Sequence, residues 1–127
     1  MLRIVGFDHV VLNVADTRRS VDWYGGKLGL EVLRFDEWER QEVFFVSVRI
    51  NAETIIDLFE TPRTGMNADH LCLVVADDVD LPALAASGEF DVVDGPDTRW
   101  GAQGDALSLY VRDPDGNVVE LRNYAAV

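Results

Sequence analysis

The strongest constraint on this chain is an internal repeat. The segment Phe7-Asp8-His9-Val10-Val11-Leu12-Asn13-Val14-Ala15-Asp16 aligns without gaps on Ala68-Asp69-His70-Leu71-Cys72-Leu73-Val74-Val75-Ala76-Asp77, and Asp, His, Leu, Val, Ala and Asp recur in register. A second match joins the ends of the two halves: Thr54-Ile55-Ile56-Asp57-Leu58-Phe59 against Asn117-Val118-Val119-Glu120-Leu121-Arg122. Each half therefore carries one histidine and one carboxylate at matching places. A repeat of this length is one supersecondary unit written twice, too small in either copy to bury both faces of a sheet alone.

The halves also share an order of elements, β-α-β-β-β. Asp16 caps a helix with an apolar stripe of Val21, Tyr24 and Leu28 that stops near Gly29. In the second half Asp80 is the cap, Pro82 falls in the tolerated first turn and Gly88 ends the helix. Strands are expected over 31–36, 43–50 and 54–60, then over 91–94, 106–112 and 117–123. Asp113-Pro114-Asp115-Gly116 reads as a turn that makes Tyr110 and Glu120 neighbours across a hairpin. The breaker-rich Thr61-Pro62-Arg63-Thr64-Gly65 separates module one, about 1–62, from module two, about 67–127, within one domain.

Bulk properties narrow the possible partners. No apolar run approaches bilayer length, and the first residues lead directly into a strand pattern, so neither secretion nor a membrane is expected. A formal charge of −12 argues against nucleic acid, which is bound through clustered Lys and Arg. The single cysteine, Cys72, cannot form an internal disulfide and lies in an apolar stretch, which suits a packing residue in a reducing cytoplasm.

Side chains alternate across a strand, so Val10, Leu12 and Val14 face one side while His9, Val11 and Asn13 face the other. Leu71, Leu73 and Val75 repeat the first set; His70, Cys72 and Val74 repeat the second. Ile56 and Leu58 likewise oppose Asp57, as Val119 and Leu121 oppose Glu120. The uniformly apolar face should pack under the helices, leaving His9, Asp57, His70 and Glu120 on the other. A lone histidine in an apolar strand is usually a hydrogen-bonded core residue. Here the only two histidines occupy equivalent places, each with a carboxylate at a matching place, and unpaired burial of a carboxylate is costly. Two imidazoles and a carboxylate suit Fe, Mn, Ni, Co or Zn at a site with open positions.

On these residues the chain resembles the vicinal-oxygen-chelate superfamily, which includes glyoxalase I, bleomycin-resistance proteins, methylmalonyl-CoA epimerase and extradiol dioxygenases. The resemblance runs from about Phe7 to Tyr124. His9-Val10 followed by Leu12, Val14, Ser20, Trp23-Tyr24 and Leu28-Gly29-Leu30 looks like the glyoxalase I pattern, with Trp23 where Phe is usual. Leu109-Tyr110, Asp113-Pro114, Gly116 and Glu120 look like the extradiol dioxygenase signature, but Gln103 stands where that signature has its histidine. The resemblance implies an α+β fold of two tandem βαβββ modules forming a U-shaped mixed sheet around a concave metal site. It implies metal ligation by His9, His70 and Glu120, with Asp57 a fourth ligand or a proton-transferring base, and it implies a homodimer.

The expected function is a divalent-metal-dependent enzyme of the glyoxalase-like group acting on a small molecule that chelates the metal through adjacent oxygens. Isomerase or lyase chemistry is expected, with Glu120 and Asp57 as the catalytic carboxylates. A metal-free, drug-sequestering module of the bleomycin-resistance kind is the rival reading; such proteins generally lack the ligand set retained here. An extradiol dioxygenase is the third, weakened by Gln103, since an amide does not move protons as imidazole does. Trp38, Arg49, Arg99, Trp100, Gln103, Tyr110 and Arg122 are expected around a substrate pocket. Gly101-Ala102-Gln103-Gly104-Asp105 is expected to form a mobile lid.

Overall fold

The computed structural model of the chain describes residues 2–62, 65–112 and 116–126. The expected turn at Asp113-Pro114-Asp115 and the inter-module residues Arg63 and Thr64 lie outside the described residues. The described elements are β1 (Ile4–Val14), α1 (Thr17–Val21), β2 (Glu31–Leu33), α2 (Phe35–Glu39), β3 (Val46–Arg49), β4 (Ile55–Glu60), β5 (Ala68–Val75), α3 (Leu81–Ala86), β6 (Asp91–Gly101), β7 (Gly104–Arg112) and β8 (Val118–Asn123). No helix among them is long and apolar enough to cross a membrane. The chain divides into two compact units, His9–Asp69 and Met1–Asp8 with His70–Val127, so that the leading residues of β1 belong with the second half of the sequence.

In the unit His9–Asp69 the strand order is β2-β3-β4-β1. β1 and β4 run parallel with Val11 opposite Asp57, while β3 and β4 form a hairpin with Ser47 opposite Asp57. Val46, Val48, Ile55 and Leu58 are fully buried. α1 begins where expected: the Asp16 carboxylate accepts from the Arg19 amide at 3.0 Å, and Glu60 at the end of β4 accepts from the Thr17 amide at 2.8 Å. The helix then departs from the expected regular spacing, because residues Asp22–Lys27 form a π-helical turn closed by the Leu28 amide on the Trp23 carbonyl. The wider turn rotates later side chains away from the stripe. Leu28 is consequently 52% exposed.

A second departure is α2, where a longer β2 was expected. Arg34 takes a left-handed backbone at φ 67°, ending the strand. Phe35 and Trp38, one helical turn apart, then touch at 5.8 Å between ring centroids, and the Arg18 guanidinium lies 5.5 and 5.4 Å from those rings. The aromatic pair and its cation favour the helical turn over continued extension. β3 is also shorter than expected.

In the other unit the order is β5-β8-β7-β6. Val75, Leu109, Val111 and Leu121 form a core that includes Leu81 of α3. α3 matches expectation: Asp80 caps the Ala83 amide at 3.0 Å, Pro82 lies in the first turn, and Gly88 follows at φ +79°. The leading residues of β1 join this unit through the Ala76 amide, which donates to the Arg3 carbonyl at 2.8 Å. β6 runs to Gly101, well past the expected end. Gly95 and Pro96 lie within register shifts against β7 on a strand paired along one side in this unit, a position that tolerates proline.

Candidate metal centre

The alternation expected along the strands puts one imidazole and one carboxylate on the same face in each unit. In His9–Asp69, that face of β1, β4 and β3 carries His9, Val11, Ile55, Asp57 and Ser47, opposite the face of Leu12, Ile56, Leu58 and Val48. His9 and Asp57 are each 2% exposed. His9 Nε2 lies 3.7 Å from Asp57 Oδ2, and Ser47 Oγ donates to Asp57 Oδ1 at 2.6 Å. Arg49 is turned to the end of the hairpin, where Nη1 donates to the Asn51 and Ala52 carbonyls. Trp38 borders a cleft of about 510 Å³ with Arg18, Val43 and Phe44, whose lining includes neither His9 nor Asp57.

The second unit repeats the pairing in the same register: Cys72 lies opposite Glu120 as Val11 lies opposite Asp57. His70 Nε2 is 3.0 Å from Glu120 Oε1. Tyr110 stands directly across from Glu120, and its ring meets that of His70 edge-on at 5.4 Å. Burial, reinforced by Glu120, pushes the Tyr110 phenol above its ordinary pKa, so it remains a proton donor. Burial likewise raises the Cys72 thiol well above its ordinary value, consistent with a packing residue.

Arg122, expected at a pocket border, is enclosed at 0% exposure. Its Nη1 donates to Glu120 Oε2 at 2.8 Å, its Nη2 donates to the Arg99 and Gly104 carbonyls at 2.9 Å each, and its Nε lies 3.7 Å from Asp8 Oδ1. Burial opposes its charge, but the carboxylates of Asp8 and Glu120 help to outweigh that cost and raise its pKa. Arg99 points instead toward Asp94 and Asp97 along its own strand, and Trp100 is half-buried on β6. The expected lid is a two-residue hairpin turn, since Gly101 pairs with Gly104. Its amides are tethered: Ala102 donates to Asp8 Oδ2 and Gln103 donates to the Tyr124 hydroxyl, both at 3.0 Å. Two anchored amides in a tight turn leave no loop to swing, and the Gln103 side chain is exposed at its tip.

Sequence reasoning overlooked Asp8, Ser47, Ser108 and Tyr124. Ser108 Oγ donates to Glu120 Oε2 at 2.8 Å, and the Tyr124 hydroxyl donates to Asp8 Oδ1. The signal was available for the serines, each a lone hydroxyl inside an apolar run, Val46-Ser47-Val48 and Leu107-Ser108-Leu109.

The imidazole and carboxylate brought together in each unit are donor types that suit a borderline divalent cation. Among the described residues the buried acids are Asp8, Asp57 and Glu120, and the only buried permanent cation is Arg122.

Residues 6–121 match the Glyoxalase/Bleomycin resistance protein/Dioxygenase superfamily. The chain belongs to that superfamily. A glyoxalase domain-containing protein of Mycosarcoma maydis, RDO1, is 35% identical over 97% of this chain and 70% of its own length. The virulence protein STM3117 of Salmonella typhimurium is 31% identical over 92% of this chain and 83% of its own length. Among solved structures, a Mn(II)-bound glyoxalase from Novosphingobium aromaticivorans superposes with a TM-score of 0.72 at 20% identity, covering 99% of this chain and 41% of that one. A methylmalonyl-CoA epimerase of Streptomyces coelicolor superposes with a TM-score of 0.70 at 22% identity, covering 97% and 99%. These likenesses establish the fold: this superfamily member has the mixed α+β, vicinal-oxygen-chelate architecture that the resemblance implied.

Proposed function

We propose that this superfamily member is a divalent-metal-dependent enzyme of glyoxalase type, acting on a small molecule that presents adjacent oxygens, by isomerase or lyase chemistry. The observation that carries the reading is a buried carboxylate beside an imidazole in each unit, Asp57 3.7 Å from His9 Nε2 and Glu120 3.0 Å from His70 Nε2. His9, His70 and Glu120 would hold the ion; all three are among the buried groups suited to metal ligation. Such an ion supplies Lewis acidity toward a substrate carbonyl.

The protein's own groups divide the remaining work. Asp57, held at Oδ1 by Ser47, keeps Oδ2 toward His9 and would serve as fourth donor or carry the proton. Tyr110, protonated and hydrogen-bonded to Glu120, would help to hold that carboxylate in place beside His70. Likeness to a Mn(II)-bound glyoxalase and to an epimerase supports metal binding and isomerase-type chemistry over drug sequestration. Ring cleavage is disfavoured because Gln103, exposed on its turn, offers no imidazole for proton transfer.

The test is metal analysis of protein purified without chelators, followed by calorimetric titration with Mn(II), Co(II), Ni(II) and Zn(II). One ion per chain is expected, with affinity reduced at least 10-fold by His9→Ala and by His70→Ala. Unchanged affinity in both variants would refute the assignment. With the preferred ion bound, substrates bearing vicinal oxygens should exchange a carbon-bound hydrogen with deuterated water.

A further inference from the structure

Glu120 and Asp57 occupy equivalent places in the repeat, yet their surroundings differ in a way that assigns them different work. Two residues beyond Glu120 stands Arg122; two residues beyond Asp57 stands Phe59. Across the hairpin from Arg122 stands Ser108, and its counterpart in the first half is Phe45. Phe45 and Phe59 touch at 4.8 Å between centroids, an apolar pair. At the same place in the second half, Arg122 and Ser108 are both donors, and both bind the same oxygen of the same carboxylate, Glu120 Oε2, at 2.8 Å.

Those two bonds are directional and buried. They occupy Oε2 and leave Oε1 as the oxygen on the His70 side, 3.0 Å from Nε2. The guanidinium is itself fixed by two main-chain carbonyls, those of Arg99 and Gly104, and by the proximity of Asp8. Asp8 in turn holds the Ala102 amide and the Tyr124 hydroxyl, whose ring lies 4.8 Å from the Arg122 guanidinium carbon. Gly101 has no side chain because a Cβ there would lie 2.4 Å from that carbon. Both terminal nitrogens of Arg122 are therefore held.

We infer that Arg122 and Ser108 are positioning residues that reserve Oε2 of Glu120 and present Oε1 alone as a one-oxygen metal donor. The inference rests on the metal-binding reading above. Hydrogen-bonded partners of a ligating carboxylate commonly alter metal affinity by about 10- to 100-fold when removed. In the first half the places of Arg122 and Ser108 are held by Phe59 and Phe45, and Ser47 donates to Asp57 Oδ1.

The experiment compares the full chain with Ser108→Ala, Arg122→Lys, Arg122→Gln and, as a ligand-loss control, Glu120→Gln. Mn(II) affinity is measured by calorimetry, and the visible absorption of Co(II) is recorded at saturation, where affinity no longer matters. Ser108→Ala removes one hydroxyl and is the variant least able to disturb folding. It should weaken Mn(II) binding about 10-fold and shift the Co(II) bands, because an Oε2 released from one donor can swing toward the ion. Arg122→Gln should do so more strongly, and Arg122→Lys should fall between them. A folded Ser108→Ala protein with unaltered affinity and an unaltered Co(II) spectrum would overturn the inference while leaving the metal assignment intact. A parent protein that binds neither ion would overturn both. If the arginine variants fail to fold, Ser108→Ala alone decides.

Discussion

Replacing Gly101 by alanine should destabilise the protein far more than a single methyl on a hairpin ordinarily would. The added Cβ would stand 2.4 Å from Arg122 Cζ and 2.6 Å from each terminal nitrogen, whereas comfortable contact between carbons is about 3.5–4.0 Å. The guanidinium must therefore retreat by roughly 1 Å. On an exposed arginine that retreat would cost little. Arg122 is enclosed, with bonds of 2.8 Å to Glu120 and 2.9 Å to the Arg99 and Gly104 carbonyls. A shift of that size carries at least one of them beyond hydrogen-bonding range. A buried bond to a charged group contributes about 1.5–3 kcal/mol, and loosening a buried ion pair costs about 3–5 kcal/mol.

The expected loss is thus about 3–5 kcal/mol, a large part of a typical domain stability of about 5–15 kcal/mol. Urea unfolding followed by tryptophan fluorescence measures it directly. Two controls isolate the cause. Gly104→Ala meets nothing within 4 Å but must keep φ at +97°, so it reports backbone strain alone, about 1–3 kcal/mol. In an Arg122→Met background the collision partner is gone, and the further cost of Gly101→Ala should fall below about 1 kcal/mol. A Gly101→Ala protein within 1 kcal/mol of the parent would refute the claim that the turn and the buried arginine are locked together.

Other expectations follow from the same geometry. Asp57→Asn should lower turnover of the true substrate by about 10²-fold with little loss of stability, as steady-state kinetics alongside urea unfolding would reveal; equal turnover per folded molecule would remove Asp57 from the chemistry. Cys72, buried and with its thiol pKa raised well above normal, should resist a thiol-specific reagent at pH 7.5 and react only on unfolding; fast labelling of the folded protein would contradict its enclosure. Leu121→Ala removes a side chain from the core beneath α3 and should cost about 2–5 kcal/mol in a urea melt. Sedimentation should find a homodimer at micromolar concentration, the commonest symmetric assembly; a monomer would count against it.

Much of this was legible because the repeat made each position informative twice. The alternation rule put His9 and Asp57 on one face, and His70 and Glu120 on its counterpart, and the strand registers agree. Caps at Asp16 and Asp80 were readable because a short acceptor side chain before an apolar period has a single local use. The elements that were misread are those decided by nonlocal partners. α2 depends on Arg18, seventeen residues away from Phe35, and β6 continues through Gly95 and Pro96 because β7 supplies its pairing. Arg122 was misread for a related reason: arginine is ordinarily exposed, and only Asp8, more than a hundred positions earlier, Glu120 and the turn at Gly101 make its burial tolerable.

The divergence of the halves explains why the fold was easier to read than the site. Duplication supplies two equivalent imidazole–carboxylate pairs, and a symmetric site would treat Asp57 and Glu120 alike. Ser47 stands at the place of Tyr110, Phe45 at that of Ser108, and Phe59 at that of Arg122. These three exchanges leave the apolar face and the strand register intact, so the architecture is indifferent to them. They change what borders the carboxylates: Glu120 Oε2 accepts from both Arg122 and Ser108, whereas the matching places of the first half hold the Phe45–Phe59 pair and Ser47 donates to Asp57. Metal-assisted proton transfer asks different things of its carboxylates, since a ligand must stay while a base must accept and release. Grafting Arg and Ser onto the first half, as Phe59→Arg with Phe45→Ser, should place the same two donors beside Asp57 that Glu120 has. The grafted protein should keep its metal affinity and lose turnover, a result read by calorimetry and kinetics on the same sample; undiminished turnover would show that the asymmetry serves stability alone.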